Sequence, residues 1–158
     1  MEIYKAPNSY PIDKKFTIFL GGSIEQNKAD KWQEDITKRL ESWDIRILNP
    51  RRDDYDVTQE QSINNPYFKE QVDWELDGLD RSDLIVIYLQ PGTYSPISLM
   101  EIGIYCNSYN IVVCCPDGFW RKGNVQIVCE RYDIPLMESM EDLEEFIIEE
   151  LESTTAGE

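Results

Sequence analysis

Two carboxylates stand where a surface acid would not be expected. Glu101 lies in "PGTYSPISLMEIGIYCNSYNIVVCC", residues 91–115, as the one acidic residue among apolar, small and uncharged neighbours. Glu75 lies in "VDWELDGLDRSD" and shares a helical face with Val72, Leu76 and Leu79, whereas Asp77 and Asp80 fall toward the polar side. A carboxylate nucleophile and a proton-donating carboxylic acid on neighbouring helices are the minimum set for breaking a glycosidic bond. The plainer reading of Glu101 is a capping contact near a helix start, to Ser98 three residues before it. Gly103, two residues after Glu101, would leave room for a ligand or another backbone.

The chain has no histidine, so acid–base or nucleophilic chemistry must run on carboxylates, Tyr, Cys, Lys or hydroxyls. Its four cysteines, Cys106, Cys114, Cys115 and Cys129, form no CxxC pair and read as buried, reduced thiols. Neither a metal site nor a cofactor is expected. With 31 acidic against 15 basic residues and a net charge of −16, the surface would repel a polyphosphate backbone, which speaks against nucleic-acid polymers. Much of the excess lies in residues 138–158. No run approaches a membrane span and the start shows no signal-peptide pattern, so the chain is read as soluble and cytoplasmic.

These side chains must be positioned by alternating elements. "FTIFLGG" (16–22) reads as a buried strand and tight turn. A helix follows, with Ala29, Trp32, Ile36, Leu40 and Trp43 on one stripe and Asn27 or Asp30 as caps. "IRILNP" (45–50), "LIVIYL" (84–89) and "NIVVCC" (110–115) read as further strands. Helices are predicted over "YFKEQVDWELDGLDRSD" and over "ISLMEIGIYCNS", the latter starting near Pro96. Residues 51–66 read as a polar loop and 116–135 as irregular. "IPLM" then leads to a C-terminal helix from about Ser139. The organisation predicted is one domain over 1–152 with a frayed acidic tail at 153–158. Near-continuous apolar strands separated by helices predict a flavodoxin-like, doubly wound α/β sheet of about five parallel strands with helices on both faces. Ligands bind such sheets at the carboxyl ends of the strands, here "GGSIE", "NPRRDDY", "QPGTYSP" and "CPDGFW".

Between about residues 16 and 128 the chain resembles the nucleoside 2-deoxyribosyltransferase superfamily, which includes 2'-deoxynucleoside 5'-monophosphate N-glycosidases. The likeness rests on "FLGGSI", "WELDGLDRSDLIVIYL", "SPISLMEIGIY" and "PDGFWRKGNVQIV", and it is strongest to the branch described as nucleoside 2-deoxyribosyltransferase-like. The resemblance implies that Glu101, in the Glu-x-Gly position, attacks the anomeric carbon of a 2'-deoxynucleoside. A free nucleobase then takes the sugar. Glu75 stands where the family has an Asp that protonates the leaving base, with Asp77 as the fallback.

The same resemblance assigns substrate binding to Gly21, Gly22, Ser23, Asp77, Thr93, Trp120 and three further positions. Phe19 replaces a Tyr that orients the nucleophile, which leaves Tyr88 or Tyr94 to do so. Ser95 replaces an Asp that contacts the sugar. Asn124 resembles an Asn that reaches a neighbouring subunit, implying a homo-oligomer whose sites are completed in trans. Glu25 replaces an Arg suited to a 5'-phosphate, which favours neutral nucleosides, although Arg51 and Arg52 close the second strand at the same edge and offer cations. Their plainer reading is exposed loop charge paired with Asp53 and Asp54. Trp120 and Phe119 offer rings for stacking on a base or for sealing a subunit contact. Hydrolysis of nucleosides or their monophosphates, and a non-catalytic nucleotide-binding module, are the competing readings.

Overall fold

Side chains alternate across each strand, and the two resulting sets pack into separate apolar layers. A computed structural model describes residues 1–156. Six strands run parallel: β1 (Glu2–Lys5), β2 (Thr17–Gly22), β3 (Arg46–Asn49), β4 (Leu84–Tyr88), β5 (Ile111–Cys114) and β6 (Leu136–Met137). Their order is β1-β3-β2-β4-β5-β6. Five helices connect or follow them: α1 (Trp32–Arg39), α2 (Pro66–Arg81), α3 (Pro96–Tyr105), α4 (Lys122–Arg131) and α5 (Met140–Ala156). Phe19, Leu48, Ile85, Ile87 and Val113 face one layer, where α2, α3 and α4 add Trp74, Leu79, Ile102, Val125 and Cys129. Ile18, Leu20, Ile47, Val86 and Val112 face the other, covered by Trp32 and Ile36 of α1 and by Leu143, Ile147 and Leu151 of α5. The period-two alternation is what a sheet buried on both faces requires. This is a single α/β domain with the doubly wound, flavodoxin-like arrangement.

Apart from the added edge strand β1, the chain reverses its direction of winding between β2 and β4, and ligands of open α/β sheets enter at that switch point. Gly22 makes the close approach there possible. Its φ is +126°, and a Cβ would sit 2.1 Å from the carbonyl oxygen of Tyr88 on the neighbouring strand. Neither backbone can give way, so Gly22→Ala is expected to cost roughly 3 kcal/mol, read as a lowered urea midpoint with an unchanged slope.

Several boundaries differ from the sequence expectation. There are six strands rather than about five, because Glu2–Lys5 pairs with β3 in parallel register from Glu2 with Arg46 to Lys5 with Asn49. Residues 122–131, read as irregular, form α4, which buries only Val125 and Cys129. α1 starts later than its apolar stripe: Lys31 is its cap residue, without a side-chain cap, and neither Asn27 nor Asp30 serves. On α2 the buried set is Gln71, Trp74, Gly78 and Leu79, while Leu76 is exposed. The inward face is therefore rotated from the predicted one, toward Gln71. α5 runs unbroken to Ala156, past the expected onset of fraying at residue 153; residues 157–158 of that expected tail lie outside the described residues. Cys114, Cys115 and Cys129 are buried and Cys106 is partly so, all free.

Candidate active site

Pro96 opens α3, and its fixed φ suits a first helical turn. The helix carries Glu101 inward beside Ser98 and Ile102, leaving it only 7% exposed. Among the described residues no hydrogen bond joins Glu101 to Ser98, so the capping reading is set aside. Tyr88 and Tyr94 do not orient the carboxylate either. Tyr88 packs edge-on against Trp32, with centroids 5.3 Å apart, on the α1 side of the sheet. Tyr94 is exposed and packs against Trp120, with centroids 5.2 Å apart. Burial, and then the charge of Glu75, push the Glu101 carboxyl up to about 8 from its usual 4.5. Glu75 is thus near enough for the two carboxyls to interact across the α2–α3 boundary.

Glu75 is half-buried on α2, and burial pushes it up to about 7 despite an opposing hydrogen bond from Gln71. That bond runs from Gln71 Nε2 to Glu75 Oε1 at 2.7 Å, and the same nitrogen donates to the Pro50 carbonyl at 3.0 Å. One turn of helix separates the two residues, so Gln71 grips one oxygen of Glu75 and leaves the other for a proton. Two carboxyls that burial drives toward neutrality, with the charge of Glu75 acting further on Glu101, can divide the roles of acid and nucleophile.

The switch-point loops bring three hydroxyls together. Ser23 Oγ lies 2.8 Å from Thr93 Oγ1 and 2.7 Å from Ser95 Oγ, and the latter two are 3.0 Å apart. The Gln90 backbone N–H donates to Ser23 Oγ at 2.8 Å, and Thr93 Oγ1 donates to the Gln90 carbonyl at 2.8 Å. All three residues are buried. The cluster ties the loop after β2 to the loop before α3.

Glu25 has a role that its position in the sequence does not announce. Its Oε1 accepts the backbone N–H groups of Tyr94 at 3.0 Å and Ser95 at 2.8 Å. The chain's own carboxylate thus occupies donors at the start of α3, a place where helices otherwise gather anions. Reaching it takes three successive left-handed residues, Glu25, Gln26 and Asn27, at φ 48°, 55° and 69°. Arg51 secures that turn, donating to Asn27 Oδ1 at 3.1 Å, to the Asp30 carbonyl at 2.6 Å and to the Ala29 carbonyl at 2.7 Å. Arg51 is therefore a buried strut rather than an exposed loop charge. Arg52 is also buried: it pairs with Asp54 at 3.1 Å and stacks 4.6 Å from the Tyr67 ring, while its Nη1 has no partner. Asp53 pairs with Lys5 instead, at 2.8 Å.

The remaining positions divide. Phe19 is 1% exposed and forms the wall under the site: a Cβ on Gly21 would come within 3.1 Å of its ring and one on Gly78 within 2.9 Å. Asp77 is exposed on α2 and lines an open groove with Asp73 and Trp74, away from the buried face. Trp120 is 49% exposed, held by a hydrogen bond from its Nε1 to the Tyr94 carbonyl at 3.0 Å, whereas Phe119 is core. Asn124 is exposed on α4. Gly103 faces open space, with no atom within 4 Å of an added Cβ. The sequence reading missed Gln71, whose spacing of four from Glu75 was the available signal.

Residues 15–119 match the family described as nucleoside 2-deoxyribosyltransferase like, and the chain belongs to that family. Membership ties it to nucleoside handling and to enzymes of the deoxyribosyltransferase-like kind. Among solved structures it is similar to a conserved protein from Enterococcus faecalis V583, with 15% identity, a TM-score of 0.59 and coverage of 87% of this chain and 99% of that one. That likeness concerns the fold. No curated protein matches the chain. Among the described residues, no helix is long and apolar enough to cross a membrane.

Proposed function

We propose that the protein transfers 2-deoxyribose between the nucleobases of 2'-deoxynucleosides through a covalent ester on Glu101. The observation that carries this reading is the pair of carboxyls raised by burial, Glu101 on α3 and Glu75 on α2, close enough for the charge of Glu75 to act on Glu101. The competent state holds one proton on the pair. Glu101, at about 8, outranks Glu75, at about 7, for that proton in the free protein. The reaction runs through the tautomer in which the proton has moved to Glu75 and Glu101 is ionised. Glu101 attacks C1', the C1'–N bond breaks, and its electron pair leaves with the base as the Glu75 proton moves onto the base. An incoming base then attacks C1' from the vacated side, displaces Glu101 and returns a proton to Glu75, so configuration is retained overall. The burial of Glu101 supports exclusion of water, the transferase's main competitor for the ester.

The Glu25 carboxylate, already bonded to the Tyr94 and Ser95 N–H groups, favours a neutral nucleoside over a 5'-monophosphate. An apolar face of α3, with Ile97, Met100 and Ile104 exposed, and Ile127 exposed on α4, supports a homo-oligomer in which Asn124 reaches a neighbour's site. Trp120 and Tyr94 supply half-open rings at the rim.

The test is chromatography of the common 2'-deoxynucleosides and their monophosphates, incubated alone and with a mixture of free bases. New deoxynucleosides formed only when bases are added are the expected result. Base released equally without an acceptor would make the protein a hydrolase, and no turnover of any substrate would leave a binding module.

A further inference from the structure

The helix that carries Glu101 is fastened at both ends by carboxylates from other elements. α3 buries only Ser98, Glu101 and Ile102 and leaves Ile97, Met100 and Ile104 exposed, so its own packing on the sheet rests on few side chains. At its start, Glu25 accepts the backbone N–H groups of Tyr94 and Ser95. At its end, the Tyr105 hydroxyl donates to Asp80 Oδ1 of α2 at 2.5 Å. Among the described residues this is the one side-chain hydrogen bond between α2 and α3, and Asp80 has no other partner. Asp80 stands in the last turn of α2, where a negative charge works against the helix dipole, so α2 by itself gains nothing from it. The Tyr105 ring packs against the apolar layer, which has no use for a hydroxyl. Together the two groups join the helices. Burial first, and then Asp80, push the Tyr105 hydroxyl up from its usual 10, so it remains a donor throughout the range in which the carboxyls titrate.

We propose that Asp80 and Tyr105 are positioning residues, whose hydrogen bond sets the spacing of α2 and α3 and with it the approach of Glu101 to Glu75. This rests on the reading of Glu101 and Glu75 as the reacting pair. Glu75 lies five residues before Asp80, and Glu101 lies four before Tyr105. The two carboxyls therefore stand about one helical turn above the bridge, on the same two helices. The bridge donates nothing to Glu101, because the single hydroxyl proton goes to Asp80. It acts through the placement of the helix. Without it the last turn of α3 is free to lean away from α2, and Glu101 moves with it. A displacement of about 1 Å in a reacting group can cost roughly 100-fold in rate. The fold itself does not depend on the bridge. Just beyond the helix ends, Asn110 Nδ2 donates to the Ser82 carbonyl at 2.8 Å and holds the two chain segments together.

The experiment compares wild type with Tyr105→Phe, Asp80→Ala, Asp80→Asn and the double variant Tyr105→Phe/Asp80→Ala. Rates come from the chromatographic assay. The ionisation of Glu101 is followed by carbon NMR of protein labelled at the glutamate side-chain carboxyls, with its signal assigned through Glu101→Gln. Tyr105→Phe and Asp80→Ala should each lower kcat about 10- to 100-fold with little change in KM. The double variant should be no worse than either single one, because both remove the same bond. Asp80→Asn, whose amide oxygen still accepts from Tyr105, should stay close to wild type. Glu101 should titrate near 8 in the wild type and lower in Tyr105→Phe, because the charge of Glu75 then acts on it from further away. A lowered melting temperature with kcat and the Glu101 titration unchanged would overturn the proposal and leave a bond that only stabilises. Asp80→Asn as impaired as Asp80→Ala would overturn it too, since the charge and not the bond would then matter. If the wild type turns over no nucleoside, the proposed reaction falls, and the Glu101 titration alone decides whether the bridge positions that carboxyl.

Discussion

Glu101→Gln is expected to reduce turnover at least about 1,000-fold while making the protein more stable, and more so at pH 9 than at pH 5. The first effect follows from chemistry: an amide of nearly the same shape has no nucleophilic oxygen with which to form the sugar ester. The second follows from linkage. The Glu101 carboxyl lies well above its usual 4.5, pushed up to about 8 by burial and by Glu75. A group whose folded-state pKa is raised gives its full stabilising contribution below its unfolded value. That contribution is lost as pH climbs through the folded value. Between about pH 4.5 and 8 the wild type therefore gives up stability as a buried carboxylate is forced to ionise, on the order of 5 kcal/mol. Glutamine has no such penalty, so at pH 9 the variant should melt roughly 6 °C or more above wild type, with little difference at pH 5. Differential scanning fluorimetry at the two pH values, beside the chromatographic assay, reads both effects. An active Glu101→Gln protein would remove the nucleophile assignment. An inactive one with no pH-dependent gain would mean that Glu101 ionises without penalty and is not held in a desolvated site.

What could be read before the structure, and what could not, divides along physical lines. Glu101 was legible because one charge in an apolar helix is costly to bury, and the strands because both sheet faces demand apolar side chains. β1 was not: its four residues lie at an edge and are only half-buried, so they carry no long apolar run. α4 buries just two side chains, Val125 and Cys129, and exposes Ile127, so its apolar pattern does not mark one face. Glu25 looked like a bare negative charge at the ligand edge. Its value depends on three left-handed residues and an arginine strut that carry it across to α3. Gln71 was passed over because a neutral amide on a helix face carries no mark of the carboxyl it will hold.

Glu75→Gln is expected to lower kcat about 100- to 10,000-fold with purine deoxynucleosides, the usual range for loss of a positioned acid, and to change the shape of the pH profile. In the wild type the two carboxyls act as a coupled pair, with burial holding one at about 7 and the other at about 8, and the competent state carries one proton between them. Below that window both are protonated and there is no nucleophile. Above it both are ionised and there is no acid to assist the leaving base. The wild-type kcat/KM should therefore trace a narrow bell centred between pH 7 and 8. Removing Glu75 takes away the acid whose loss forms the alkaline limb, so activity should rise with pH to a plateau. It also takes away the charge that raises Glu101, which should move the remaining acid limb to lower pH. A deoxyriboside whose leaving group is an acidic phenol needs no proton on departure, so its rate should fall far less in the variant than the nucleoside rate does. Equal losses on both substrates, with an unchanged bell, would mean that Glu75 supports the site without delivering the proton.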